Sequence, residues 1–166
     1  QVPPEEVERI FSPSQALPAV AQADPRIKKQ NPAQNPGQAP VVFIAGSGPA
    51  PHYAYIVDEL SAALADAKIT SRSGEGSSRN TCLEMTQESG AQSLLYVVAS
   101  VSERVAFETF VKVQCVSADG TKLWEEEQKG PFMSASVQST VKSVTEKLVK
   151  KVRDHIGKPG LPVPKP

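Results

Sequence analysis

The side chains with the widest chemical repertoire in this sequence are two cysteines, Cys82 and Cys115, and two histidines, His52 and His155. A zinc site needs ligands of these types at short helical or turn spacing. The cysteines belong to different predicted elements, and no Cys-x-x-Cys or His-x-x-x-His pattern lies beside them. Each histidine falls near a predicted helix end, which is typical of capping or solvation. The sequence therefore predicts neither a metal site nor a catalytic histidine.

The cysteine pair has two interpretations. An even number of cysteines in an oxidising compartment favours one disulfide, here between Cys82 and Cys115. Two buried thiols also account for this number. The sequence leaves the disulfide as a candidate and the free thiols as its alternative.

A glycine-rich segment, GSGPAP at residues 46–51, separates a predicted strand from a predicted helix. Phosphate loops in this position bind through successive backbone N–H groups. Pro49 and Pro51 have no N–H group to donate. The sequence also contains no Gly-x-Ser-x-Gly nucleophile elbow. We therefore expect a protein that is not an enzyme and that binds no cofactor and no small-molecule substrate.

The elements that carry these residues begin at residue 41. The apolar run VVFIA at residues 41–45 predicts a buried strand. An apolar stripe of helical period then predicts an amphipathic helix, followed by a short strand at residues 69–71. A second helix is predicted from a serine cap at Ser77 or Ser78 to a stop at Gly90.

The rest of the domain is predicted as three antiparallel strands and a long helix. Asp119 and Gly120 mark a tight turn between the last two strands. The helix carries an apolar stripe and ends at Gly157. The resulting order, β-α-β-α-β-β-β-α, predicts an α+β domain at residues 41–157, with a mixed sheet covered by helices.

Proline-rich segments flank this domain. Residues 1–40 form a predicted arm in which eight prolines exclude a long helix and a paired central strand. Its end, residues 30–40, is typical of a semi-rigid polyproline spacer. Residues 158–166 are predicted as a short extended tail.

One part of the arm has an apolar face. Residues 4–11 predict a short amphipathic helix, because Val7, Ile10 and Phe11 recur at helical spacing. A helix of this length is not stable alone, so this stripe must pack on its own domain or on another molecule. Trp124 is the second candidate contact residue, although a lone tryptophan in a hairpin is as often part of the core.

Charge and hydropathy exclude several partners. Lysine plus arginine and aspartate plus glutamate both number 18, so no excess positive charge is present to attract nucleic acid. No apolar run is long enough to cross a bilayer. The chain begins at Gln1 without an initiator methionine, which a removed signal peptide or simple trimming would explain. We expect the first, and with it a secreted protein, extracellular or periplasmic.

The element order, with a strand that ends in SADG, the returning strand TKLWEEE and a carboxy-terminal helix, supports a resemblance. Residues 41–156 resemble the periplasmic modules of the TolB amino-terminal domain, of lipoprotein activators of penicillin-binding proteins and of the curli secretion lipoprotein. The resemblance implies an envelope location and a protein partner, and it carries over no catalytic residue. The arm resembles the tethers of such lipoproteins, although position 1 is glutamine and not a lipidated cysteine.

These observations predict a non-catalytic structural or interaction protein. The first hypothesis is a self-assembling, filament-like extracellular subunit whose arm binds a neighbouring copy, since head-to-tail contacts that do not close give fibres. The alternative is a monomeric envelope adaptor that docks on another envelope protein. The sequence does not identify the partner. It also does not show whether the arm packs on the chain's own domain or on a neighbouring copy.

Overall fold

A computed structural model describes residues 27–30, 39–75, 78–102, 109–130 and 136–163. Its helices are α1 (His52–Asp66), α2 (Arg79–Ser89) and α3 (Val137–Arg153). Its strands are β1 (Ile27–Gln30), β2 (Val42–Ser47), β3 (Ser71–Gly74), β4 (Ser93–Ser100), β5 (Phe110–Ser117) and β6 (Lys122–Lys129). From β2 onward this is the predicted element order, and the α+β class with a mixed sheet is confirmed.

The strands form one sheet in the order β1-β3-β2-β4-β5-β6. Strand β2 runs parallel to β3 and β4, and the other neighbours are antiparallel. The outer strand β1 was not predicted, because its residues carry no apolar run and lie in the segment interpreted as an arm. It lies at the sheet edge, where main-chain pairing alone can add a strand.

Serine side chains cap the starts of two helices, and a glycine ends one of them. Ser78 caps α2 by accepting a hydrogen bond from the Thr81 N–H (3.1 Å), and Gly90 follows its last turn. Ser136 and Ser139 form a capping box at the start of α3. The predicted apolar stripe of α1 is buried, and its members are Tyr53, Ile56, Val57, Leu60, Ala63 and Leu64.

The sheet has a core on each face, because alternate strand residues point to opposite sides. On one face, which we call the α1/α3 face, both long helices cover residues of β2, β4 and β5. On the other, the α2 face, Cys82 and Met85 of α2 pack on residues of the same three strands, together with Ala91. The buried strand residues of this smaller core are Phe43, Ala45, Leu94 and Val116.

Several chain segments meet at one end of the sheet. Strands β2, β3, β4 and β6 all have their carboxyl ends there, and α1 and α3 both start there. The two helices run side by side, and their far ends are joined by an ion pair between Arg153 and Asp66 (3.3 Å). Ile27 pairs with Gly74 at the carboxyl end of β3, so the N-terminal segment also joins the sheet at this end.

The segment after α3 differs from the predicted extended tail. Helix α3 ends at Arg153 and not at the predicted stop, Gly157. The chain continues in turns in which the Gly157 N–H donates to the Leu161 carbonyl (2.7 Å). Leu161 is fully buried, and the Ser93 hydroxyl donates to the Gly160 carbonyl (2.6 Å). Gly157 and Gly160 both have positive φ, which allows the sharp turns that bring Leu161 into the core.

Candidate functional site

The predicted contact residues of the arm, Val7, Ile10 and Phe11, lie outside the described residues. The other candidate, Trp124, is half-buried on β6, where it packs against the core of the α1/α3 face. Its ring stacks on His155, with centroids 3.9 Å apart and planes 7° from parallel. Trp124 is therefore part of the packing between β6 and the end of α3.

A hydrogen bond extends this contact. His155 Nε2 lies 2.7 Å from a carboxylate oxygen of Glu126, which is two residues along β6 on the same face. The ring N–H of Trp124 is buried and has no hydrogen-bond partner among the described residues. His155 was expected to cap or be solvated at a helix end; it instead joins the segment after α3 to the outer strand.

The cysteines are free and buried, so the disulfide candidate does not hold and its alternative does. Cys82 lies in the core of the α2 face and Cys115 in the core of the α1/α3 face, and the sheet separates them. Burial raises the pKa of the Cys82 thiol to about 11 and that of Cys115 to about 12. These thiols stay protonated, and hence poorly nucleophilic, at neutral pH.

Within the described ranges, no three His, Cys, Asp or Glu side chains lie close enough to hold a metal ion. In the same part of the chain, no helix is both long enough and apolar enough to cross a membrane.

An apolar groove lies between the first turns of α1 and α3, at the carboxyl end of the sheet. We call it the α1/α3 groove. Its cavity volume is about 440 Å³, and it is lined by His52, Tyr55, Gln138, Val141 and Lys142. The sequence did not predict it, because the groove exists only where two helices distant in sequence run side by side. The signal available in the sequence was Tyr55, an aromatic residue at the border of the apolar stripe of α1.

The two edges of the sheet are chemically different. At one edge β3 accepts the short strand β1. At the other, β6 carries three glutamates whose side chains alternate in exposure, as their strand position predicts. The Gln114 amide donates to Glu125 (2.8 Å), and this hydrogen bond is the main cause that holds the pKa of that carboxyl below its usual value.

The outer side of β6 is partly occupied by a side chain. The Gly130 N–H donates to the Thr109 carbonyl, so the alternate residues Glu125 and Glu127 direct their main-chain groups away from β5. Lys151 of α3 donates to the Glu127 carbonyl (2.8 Å). A cation on an edge carbonyl, beside exposed carboxylates, disfavours the addition of another strand.

No protein-family model matches the chain, and a search of curated proteins finds no match. The solved structures with similar folds include a single-substitution variant of the PelC dodecamer from Paraburkholderia phytofirmans, at 14% identity and a TM-score of 0.44 over 75% of this chain and 92% of that one. A second PelC dodecamer structure from the same organism gives 16% identity and a TM-score of 0.42, covering 75% of this chain and 95% of that one.

A further similar structure is a predicted lipoprotein from Caulobacter crescentus CB15. It is 14% identical, with a TM-score of 0.31 over 66% of this chain and 84% of that one. Identities and scores at this level assign neither a family nor a function.

Proposed function

We propose that this chain is a non-catalytic subunit of an extracellular or periplasmic assembly, and that its N-terminal segment binds a neighbouring copy. Strand β1 is the observation that supports this best. It has four residues and pairs antiparallel with the outer strand β3. The N-terminal segment therefore already has a sheet edge that accepts it.

The position of β1 in the chain favours its exchange between copies. Residues 31–38 connect it to the rest of the domain and include Pro32 and Pro36. Strand addition depends on main-chain hydrogen bonds, which are the same whether the strand comes from its own chain or a neighbour. Exchange of an identical element is a low-cost route to assembly.

The opposite edge cannot replace β3 in this role. Antiparallel pairing of two β6 strands would bring Glu125, Glu126 and Glu127 of one copy opposite those of the other. Like charges directly opposite each other destabilise a strand pair. Assembly in which each copy donates β1 to one neighbour and receives β1 from another is head-to-tail, and such contacts give open fibres when they do not close into rings.

The test compares three chains by light scattering and negative-stain microscopy. These are the full chain, a chain that starts at Pro25 and keeps β1, and a chain that starts at Ala39 and lacks it. The full chain is expected to form concentration-dependent oligomers or fibres, while the chain that starts at Ala39 stays monomeric. Circular dichroism of each chain checks that it is folded.

A full chain that stays monomeric at every concentration would overturn self-assembly. The envelope adaptor is then the remaining hypothesis, with the N-terminal segment folded back on its own domain. Oligomers of equal size from the full chain and from the folded chain that starts at Ala39 would also contradict the proposal, since the contact would then lie elsewhere on the domain.

A further inference from the structure

We propose that the α1/α3 groove is the binding site for residues 4–11 of a neighbouring copy. This inference rests on the proposed function, because that function supplies the neighbouring copy. The inference identifies the surface that receives residues 4–11. Strand β1 joins the edge strand β3, and residues 4–11 bind in the α1/α3 groove.

The groove has the chemistry that an amphipathic helix requires. Its apolar lining side chains are Tyr55 and Val141, of which Val141 is almost fully buried, and Gln138 also lines it. Helices bind grooves through residues spaced at i, i+3 and i+4, which is the spacing of Val7, Ile10 and Phe11. A volume of about 440 Å³ accommodates two or three such side chains.

Charge complements this apolar match. Residues 4–11 contain three glutamates and one arginine. Lys142 lines the groove in the first turns of α3, and the N-terminal ends of both α1 and α3 carry partial positive charge. An acidic segment is therefore attracted to this end.

Negative charge lies further along the two helices, beyond the groove lining. Burial is the main cause that raises the pKa of the Tyr55 phenol, and the nearby Glu59 and Glu146 raise it further. The segment has the matching order, with Glu5 and Glu6 before Arg9. Placing the glutamates at the helix starts puts Arg9 toward these two carboxylates, so the charges also define a binding direction.

The connection to β1 is long enough to reach the groove of a neighbouring copy. Residues 12–26 include Pro13, Pro18 and Pro25, and an extended proline-rich spacer of this length reaches ~46 Å. Crossing the sheet from β1 to β4 needs only ~15 Å, since neighbouring strands lie ~4.8 Å apart. A spacer of this length can therefore reach the groove of the next copy as well as that of its own chain, and the proposed function supplies the next copy.

The decisive experiment introduces a cysteine pair, Ile10→Cys with Gln138→Cys, into the full chain. Oxidation under mild conditions is followed by non-reducing electrophoresis and mass spectrometry. The buried native thiols do not compete, because burial raises the pKa of both. The matched control is Ile10→Cys with Lys150→Cys, since Lys150 is exposed on the same helix and does not line the groove.

The expected result is a disulfide between chains that forms at least tenfold faster in the Gln138 variant than in the Lys150 control. Equal rates in the two variants would overturn the groove assignment, whatever the oligomeric state. A disulfide confined to single chains would keep the groove as the site for residues 4–11 and would overturn its occupation by a neighbouring copy, whereas self-assembly itself fails only if the full chain stays monomeric in light scattering. The two proposals therefore fail in different ways.

Charge reversal gives a second measurement on the full chain. Lys142→Glu is expected to raise the concentration at half-assembly about two- to fivefold, which is the effect of an exposed ion pair of about 0.5–1 kcal/mol. Glu5→Lys with Glu6→Lys should restore assembly in that background. The control is Lys147→Glu, an exposed residue of α3 that does not line the groove. Equal effects at both lysines, without restoration, would contradict the proposed binding direction.

Discussion

At the level of single residues, two glycines determine how the chain packs after α3. Both have positive φ, 88° at Gly157 and 96° at Gly160. Their surroundings differ, because a Cβ atom on Gly160 would overlap the Cys115 sulfur, whereas one on Gly157 would meet only Val163 at 3.8 Å. Alanine substitutions at the two positions therefore separate the stability lost through the backbone conformation from the stability lost through overpacking.

Gly160→Ala is expected to lower the free energy of unfolding by about 2–4 kcal/mol. About 1 kcal/mol comes from the left-handed backbone, and the rest from overpacking against the sheet. Gly157→Ala serves as the control and should lose only about 1 kcal/mol. Urea denaturation followed by circular dichroism measures both. Equal losses of stability in the two variants would show that the contact with Cys115 relaxes without lowering the free energy of unfolding.

The buried thiols make stability depend on alkaline pH. The pKa of Cys82 is raised by burial from 9.0 to about 11, so the native state keeps a proton that the unfolded state loses. Stability is therefore fully present below about pH 9 and falls as the pH rises toward 11, by up to ~1.4 kcal/mol per pH unit for this thiol. Cys115, with a pKa of about 12, adds to the fall.

Urea denaturation between pH 8 and pH 10.5 measures this slope. Cys82→Ala should reduce it by up to one proton's equivalent while lowering stability at neutral pH. An unchanged slope in the variant would mean that other groups cause the alkaline loss. Tyr53 is the natural comparison, since burial raises the pKa of its phenol as well.

At the level of elements, the stacked pair of Trp124 and His155 joins β6 to the end of α3. His155→Ala should cost about 1–2 kcal/mol of stability, because it removes an aromatic stack and a half-buried hydrogen bond to Glu126. His155→Phe should recover the stacking part. His52→Ala is the control, with an expected change within about 0.5 kcal/mol. Equal stability of the alanine and phenylalanine variants would argue against stacking.

Local patterns predicted most of the elements. The stripe of α1, the Ser78 cap and the strand alternation of β6 each depend on residues close in sequence. Strand β3 begins at Ser71, two residues later than predicted, because its short polar sequence carries little periodic signal. Strand β1 was missed for the same reason, since its sequence is also short and polar and its place in the sheet depends on the edge that it joins.

The candidate sites were harder to predict than the elements. The stacking of Trp124 on His155 and the α1/α3 groove both join residues far apart in the chain. The burial of Leu161 likewise depends on a turn that returns the chain to the sheet. Each of these contacts depends on tertiary packing between residues far apart in the chain. Such packing leaves no periodic pattern in a single sequence. The apolar stripe at Val7, Ile10 and Phe11 stays a prediction.

At the level of the whole molecule, the two sheet edges differ in what they accept. The β3 edge takes a strand, whereas the β6 edge is occupied by Lys151 and by glutamates. A copy without residues 1–38 therefore keeps the accepting edge and has no strand to donate. Added at one part in ten to the full chain, it is expected to shorten the assemblies severalfold by light scattering.

The same addition of full chain is the control for this prediction and should leave the size distribution unchanged. Unchanged assemblies after addition of the shortened chain would show that growth does not pass through the β3 edge. A shift toward shorter fibres would instead show that each copy without an arm ends a growing chain.

The difference between the edges has a consequence for any fibre that forms. Every copy gives a segment in one direction and receives one from the other, so the polymer has a plus end and a minus end that are chemically distinct. Subunits add and leave at unequal rates at two such ends. The length of the fibre can then be regulated at one end alone.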